Sequence, residues 1–311
     1  TIVQRTPPTP GQSEKLPLVI PFALGLIGPE GRDLPLRLEG EAAAGAATRI
    51  FTLTEERTVL RFVDVPARPV ASLLRGFSAP VILEFDESDA DLAFRMAHDA
   101  DPFNRWDAAQ RYAERVVFSQ LDGEGALQVE VPARFIAALR ALVSDVTLDP
   151  AFRALCATLP AETVLLDRMT PADPPALRGA LLRLMRVLGE ALADDWLALA
   201  ASMRVEGAYR YHPDDAGRRA LRNLALRYLG AAGQEAGLQL ASEQFDQATN
   251  MTDRIGALAA LVQSADHAGA AYALAQFREC FGDDALVMDK WYALQAGAWR
   301  WAADAAPVLE K

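Results

Sequence analysis

His98, His212 and His267, the acidic doublets Asp194-Asp195, Asp214-Asp215 and Asp283-Asp284, and Cys156 and Cys280 are the side chains whose types could do chemistry. Zinc hydrolysis needs ligands converging on one ion and a carboxylate to take a proton from water. The three histidines are far apart in sequence and none belongs to an H-E-x-x-H pattern, so no metal site is expected within this chain. No G-x-S-x-G elbow marks a nucleophilic serine, and no phosphate loop of the G-x-x-x-x-G-K-[ST] or strand-linked G-x-G-x-x-G type is present. Adjacent residues on a helix point in different directions, and the last two doublets lie in or near first turns where the helix dipole favours carboxylates, so the doublets read as structural charges rather than an acid and base pair. An independent carboxylate enzyme would instead need convergent acids in a deep pocket. The expected set of catalytic, cofactor-binding and metal-binding residues is therefore none.

The cysteines each lie in an apolar helical pattern and read as buried thiols. Arg218, Arg219, Arg222 and Arg227 give one helix a basic side, expected to be solvated or ion-paired, with an inter-domain contact as the alternative. Asn250-Met-Thr-Asp253 can cap a helix through Asn250. Leu286-Val-Met-Asp-Lys-Trp-Tyr292, with Trp291, and the stretch from Asp99 to Gln110, with Trp106, read as packing segments.

The elements that must position these residues change character along the chain. Thr1 to Arg5, Leu18 to Leu26, Leu34 to Leu38, Arg49 to Leu53, Thr58 to Phe62 and Val81 to Phe85 are short runs rich in apolar, β-branched and aromatic residues. Turns and prolines bound them, Gly28-Pro-Glu-Gly31 being the strongest turn, and Pro21 marks an edge or a bulge. They predict a small β-sandwich over residues 1–87.

From Ser88 the apolar period becomes 3.6. Asp89 and Asp91 open a helix, Trp106 to Phe118 continues, and Gly123 and Gly125 interrupt. Pro132, Asp149-Pro150 and Asp173-Pro174 mark further starts. The helix after Asp173 has an apolar face from Leu177 to Trp196, and later helices follow Pro213 (stopped by Gly230), Gln234, Asn250, Ala268 and Leu286. Short breaks predict an all-α superhelical, solenoid-like array of antiparallel helix pairs over residues 88–311. Thr1 starts a strand with no lead-in and Ala303 to Lys311 starts a helix that stops, so the chain reads as a piece of something longer.

Across its 311 residues, the net charge of −11 disfavours both nucleic acid and an anionic membrane surface. No apolar run would span a bilayer and no signal peptide is evident, which predicts a cytoplasmic protein.

Thr6-Pro-Pro-Thr-Pro10, Pro17-Leu-Val-Ile-Pro-Phe22, Phe77-Ser-Ala-Pro-Val81, Phe103-Asn-Arg-Trp-Asp-Ala-Ala109, Arg219-Ala-Leu-Arg-Asn223, Asn250-Met-Thr-Asp253 and Val287-Met-Asp-Lys-Trp291 occur in order over nearly the whole chain. Together they resemble the bacterial aminopeptidase N family, the alanyl aminopeptidases among the zinc metallopeptidases. The resemblance implies the third, β-sandwich domain and the first part of the helical fourth domain. The family's H-E-x-x-H, distant Glu ligand and G-A-M-E-N loop lie in an earlier domain, and its later Asn-Pro-Asn stretch is also missing here. No catalytic, zinc or substrate residue is carried over. The implied role is to support the catalytic domain of the same polypeptide and help enclose its peptide chamber, with zinc held only by the parent enzyme. A free-standing helical scaffold that binds a protein partner is the alternative.

Overall fold

The computed structural model describes residues 1–121, 130–264 and 268–298. Gly123, Gly125, His267 and the run from Ala303 to Lys311 lie outside them. Two compact units divide the chain, Thr1–Tyr112 and Ala113–Lys311.

The first unit opens with β strands. β2 (Ile20–Ile27) is the centre of an antiparallel sheet, flanked by β3 (Thr48–Leu53) and β5 (Val70–Leu73). β1 (Ile2–Val3) and β4 (Arg57–Thr58) form a second, two-stranded sheet. From Phe22 onward every residue of β2 is buried, as expected of a strand covered on both faces. Phe22, Leu24, Leu26, Leu36, Leu53, Leu74 and Ala79 make the core.

Pro21 is on a central strand, not an edge. It pairs with Thr52 of β3, while β5 reaches only as far back as Leu24. In-plane directions alternate along a strand, so Pro21 shares the side of Ala23, whose N–H goes to Ser78 Oγ at 3.0 Å. The donor that Pro21 lacks therefore costs no ladder bond.

Two expected strands do not form. Leu34 to Leu38 holds only a single bridge, from Leu38 to Phe62, because Pro35 interrupts its donors. Val81 to Phe85 follows Pro80 and finds no strand partner, and Ile82 is almost fully exposed. The run Thr58 to Phe62 pairs only at its first residue and at Phe62.

A buried ionic network fastens β5 to the helices α1 (Asp89–His98) and α2 (Pro102–Ser119). The Ser88 hydroxyl caps α1 by accepting from Asp91 N. Asp99, just past α1, accepts from Ser72 Oγ at 3.0 Å, Asp101 N at 3.0 Å and Arg95 Nε at 3.3 Å. Arg95 also reaches Glu87 at 2.7 Å and Asn104 O at 3.1 Å. Arg75 donates to Ser72 Oγ and forks onto Asp33 at 2.5 and 2.7 Å. Asn104 Nδ2 closes the circuit on Ser72 Oγ and Leu73 O, both at 2.9 Å. The Asp99 to Gln110 stretch thus holds strand to helix, as its mixture of polar and apolar residues predicts. Trp106 is half-buried against Phe103, with ring centroids 5.7 Å apart, so it contributes less than a fully enclosed indole.

The second unit is helical. It runs through α3 (Ala133–Ser144), α4 (Pro150–Ala157), α5 (Glu162–Leu166), α6 (Pro174–Ala191), α7 (Ala193–Ser202), α8 (Pro213–Ala231), α9 (Glu235–Gln247), α10 (Met251–Gln263), α11 (Ala268–Phe281) and α12 (Ala285–Ala296). Local chemistry starts many of them. Asp149 accepts from Ala151 N and Phe152 N, Asp173 from Ala176 N, Asn250 from Asp253 N, and Asp284 from Leu286 N and Val287 N. The apolar face from Leu177 to Trp196 spans two helices, because the backbone leaves helical geometry at Leu192.

Helix α8 touches α4, α6, α7, α9 and α10, while α11 packs on α10 and α12 on α11. Contact between successive helices is the connectivity of a repeat array. The chain is thus β then α, small sheets followed by a helical solenoid.

Gly230 does not stop α8, which continues to Ala231. Its role is contact: a Cβ there would lie 2.3 Å from Ala260 O on α10. Gly230→Ala is expected to push α8 from α10 and to cost about 1–3 kcal/mol, the usual range for overpacking, measured as a shift in the urea midpoint.

Candidate functional site

A cavity of about 460 Å³ opens in the second unit, lined by residues of α8, α9 and α10 and of the segments before α8 and α10. Its polar wall carries Arg204, Arg219, Arg222, Glu243, Gln244 and Asp253. These positions converge for local reasons. Asn250 caps α10 through Asp253 N at 2.9 Å and donates its Nδ2 to Asp253 Oδ2 at 2.7 Å. That fixes the carboxylate where Arg219 Nε reaches it at 3.3 Å.

Gln244, buried on α9, joins the three helices. Its Nε2 donates to Asn223 Oδ1 and to Asp253 O, each at 2.8 Å, and its Oε1 accepts from Arg222 Nε. Arg222 Nη1 donates to Ala200 O at the end of α7. Burial, and after it the charge of Arg204, lowers the proton affinity of the Arg222 guanidinium. Asp253 Oδ1 is sealed from solvent and has no hydrogen-bond partner among the described residues. Arg219 also lies over the Tyr209 ring, 5.0 Å from its centroid.

The basic side of α8, expected to be solvated or ion-paired, is ion-paired at Arg219, which meets Asp253, and is otherwise largely withdrawn from solvent. Arg219 and Arg222 are buried within the helix layer, and Arg218 donates to the carbonyls of Ser202 and Arg204 at 3.0 and 2.7 Å. Arg227 is half-buried. The reason is that α8 packs against α4, α6, α7, α9 and α10, so little of it beyond exposed positions such as Ala216 and Ala220 is left for solvent. Arg204 and Gln244 belong to none of the motifs read from the sequence, and Asn223 appears there only as the end of Arg219-Ala-Leu-Arg-Asn223. The available signal was Gln244, which lies among the buried positions Ala241 and Phe245 of α9.

The other candidates do not converge. His98 ends α1 with its ring 4.7 Å from Phe94, and burial, reinforced by Arg105, lowers its pKa. His212 caps α8, its Nδ1 accepting from Asp214 N at 3.3 Å. Among the described residues no group of three or more His, Cys, Asp or Glu could hold a metal ion, so the donor set does not fit a zinc centre.

The acidic doublets are tied into helix ends. Asp195 accepts from Arg140 Nε at 2.9 Å, Asp284 caps α12, and Asp215 is forked by Arg210 at 2.5 and 3.0 Å. The Arg210 hydrogen bonds hold the Asp215 carboxyl below the usual carboxylate range. Trp291 packs as expected, buried, with Nε1 donating to Leu274 O at 2.9 Å.

The cysteines differ. Cys156 is buried in α4, but Cys280 is exposed in the last turn of α11, directly after the exposed Arg278 and Glu279. A thiol reagent applied to the folded chain is expected to modify Cys280 and to reach Cys156 only in denaturant, as peptide mass spectrometry would show.

Two families account for the architecture. Residues 1–86 match the family described as "Domain of unknown function (DUF3458) Ig-like fold", and residues 89–308 match "Domain of unknown function (DUF3458_C) ARM repeats". The chain belongs to the DUF3458_C ARM-repeat family, preceded by its Ig-like companion.

Among individual proteins it is similar to aminopeptidase N of Escherichia coli (strain K12), 36% identical over 311 residues, which is 100% of this chain and 34% of that protein. It is likewise similar to aminopeptidase N of Caulobacter vibrioides, 37% identical over 274 residues, 88% of this chain and 30% of that one. The chain spans about a third of the length of the curated relatives it matches. A crystal structure of Legionella pneumophila aminopeptidase A in complex with aspartic acid shares the fold, with a TM-score of 0.74 and 24% identity, over 94% of this chain and 34% of that one. No helix among the described residues is long and apolar enough to cross a membrane.

Proposed function

We propose that this chain is the non-catalytic portion of a zinc-dependent aminopeptidase N, which removes N-terminal amino acids from peptides in the cytoplasm. Its role is to brace the catalytic domain of the same polypeptide and to help enclose the chamber in which peptides are cut. The observation that carries this reading is the similarity to aminopeptidase N over all of this chain but only a third of the relative. The charged clusters support it, since their polar atoms are engaged in holding strands and helices together rather than converging as an acid, a base and a nucleophile.

A domain boundary between residues 87 and 88 is part of the proposal, supported by the ends of the two family matches. No residue of this chain is assigned to catalysis, to zinc or to direct substrate contact.

The test compares the complete product of the gene that encodes this segment with the chain alone, using alanine p-nitroanilide as substrate. Zinc-dependent release of nitroaniline by the complete product, and none by the chain, is expected. Hydrolysis by the chain alone, or an inactive complete product with zinc bound, overturns the reading.

A further inference from the structure

The cavity beside α8 holds two guanidiniums that lack a direct carboxylate partner, although Glu206, Glu243 and Asp253 lie on the same lining. Arg222 is 8% exposed, and its Nε and Nη1 are bonded to neutral acceptors, Gln244 Oε1 and Ala200 O. Arg204, exposed at the same cavity, donates to Gln247 Oε1 at 3.0 Å, again a neutral acceptor. Neither guanidinium has a carboxylate oxygen within 4.0 Å among the described residues, whereas Arg219 beside them is paired with Asp253. A cation taken out of water without a counter-ion is costly, and the proximity of a second cation adds to that cost. The Nη2 group of Arg222 has no acceptor among the described residues and is not among the sealed unpartnered atoms. Its donors therefore remain available at the cavity.

We propose that this cavity is a binding site for a small carboxylate, seated on the guanidiniums of Arg204 and Arg222. A planar two-oxygen anion matches the fork of an arginine and supplies the direct ionic contact that the cavity's own carboxylates do not make to Arg204 and Arg222. Glu206, Glu243 and Asp253 line the same cavity, and the chain carries a net charge of −11. That background opposes a multiply charged phosphate and leaves a singly charged carboxylate as the better fit. Ala201, Val205 and Leu240 give the cavity an apolar side, and its 460 Å³ accommodates a ligand of amino-acid or dipeptide size. The site belongs to this chain alone and stands apart from any peptidase activity of a longer polypeptide.

Amide chemical shifts of the isotope-labelled chain, titrated with N-acetylglycine, neutral N-acetylglycinamide and inorganic phosphate, test the proposal. Saturable shifts at Arg204, Arg222 and Gln244 are expected with N-acetylglycine, none with the amide, and weaker binding of phosphate. Arg222→Gln also breaks the buried bonds to Ala200 and Gln244, so the exposed Arg204→Gln carries the test. It should leave the spectrum of the folded chain otherwise intact and weaken N-acetylglycine by about tenfold, the loss of one charge-assisted contact. Equal shifts with the amide, tighter binding of phosphate, an unchanged affinity in Arg204→Gln, or no saturable shift would overturn it.

Discussion

Replacing Arg95 with methionine is expected to destabilise the first unit by about 3–5 kcal/mol at neutral pH, the cost of leaving buried charge without its partner. The Arg95 side chain is 4% exposed and lies between Glu87, 1% exposed, and Asp99, 0% exposed. Although burial opposes its charge, Glu87 and Asp99 hold its guanidinium more firmly protonated than usual. Methionine fills much of the same space, so the loss reports on the carboxylates deprived of this partner, Asp99 above all because Glu87 keeps Arg111 at 2.5 Å, rather than on a void. The pH dependence separates this explanation from simple mispacking. Burial pushes the Asp99 carboxyl above its ordinary value, while Asp101 N, Ser72, Arg95 and Arg75 pull it down. A raised carboxylate binds its proton more tightly folded than unfolded, so its stabilising effect is complete below the unfolded value and fades as pH rises through the folded one. Without Arg95 the Asp99 value rises further. The deficit of Arg95→Met relative to the parent chain should therefore shrink on acidification from neutrality towards about pH 5. Urea denaturation followed by circular dichroism at the two pH values measures it, and a deficit that stays constant with pH would refute the electrostatic account.

What the sequence made legible is what local chemistry decides. Asp149, Asp173, Asn250 and Asp284 each satisfy amides two or three residues away, so a reader of the chain can place those helix starts without knowing the fold. Strand formation depends on partners elsewhere in the chain. Val81 to Phe85 has strand-like residues and no strand partner, while the short run Val70–Leu73, with only Val70 β-branched, becomes β5 because β2 offers it an edge from Leu24 onward. Ser72 in that strand is fully buried, and it is tolerated there because Arg75, Asp99 and Asn104 satisfy its hydroxyl. The same limit applies at the candidate site. Counting arginines on α8 gives their number but not their direction, since a helix with neighbours on several sides has little face left for solvent. Nor does any local pattern bring Gln244 from α9 to Arg222 and Asp253. The break at Leu192 is likewise silent in the sequence, because the residues on either side of it are good helix formers.

Because that break turns α7 out of line with α6, Trp196 comes to lie flat on Tyr228, with ring centroids 4.5 Å apart and planes 6° from parallel. Trp196→Ala is expected to cost about 3–5 kcal/mol, the range for deleting a large buried aromatic side chain. The indole is fully buried, and its Nε1 donates to Leu188 O at 3.1 Å, across the helix break. Leu188 O still accepts from Leu192 N at 3.2 Å, so the predicted loss comes mainly from packing and not from an orphaned carbonyl. Tyr228 provides the internal comparison. Burial raises its pKa well above that of a free tyrosine, and its hydroxyl donates to Ala157 O at 2.7 Å, which ties α8 to the end of α4. Tyr228→Phe keeps the stacked ring and removes only that bond, so it should cost about 1–2 kcal/mol, set by one buried hydrogen bond. Denaturant midpoints for the two single variants and the double variant decide the matter. Tyr228→Phe leaves the ring in place and removes a different interaction from the stacked pair, so the double variant should come close to the sum of the singles. A Trp196→Ala loss no larger than that of Tyr228→Phe would mean that α4, α6, α7 and α8 are held together by contacts other than this stacked pair.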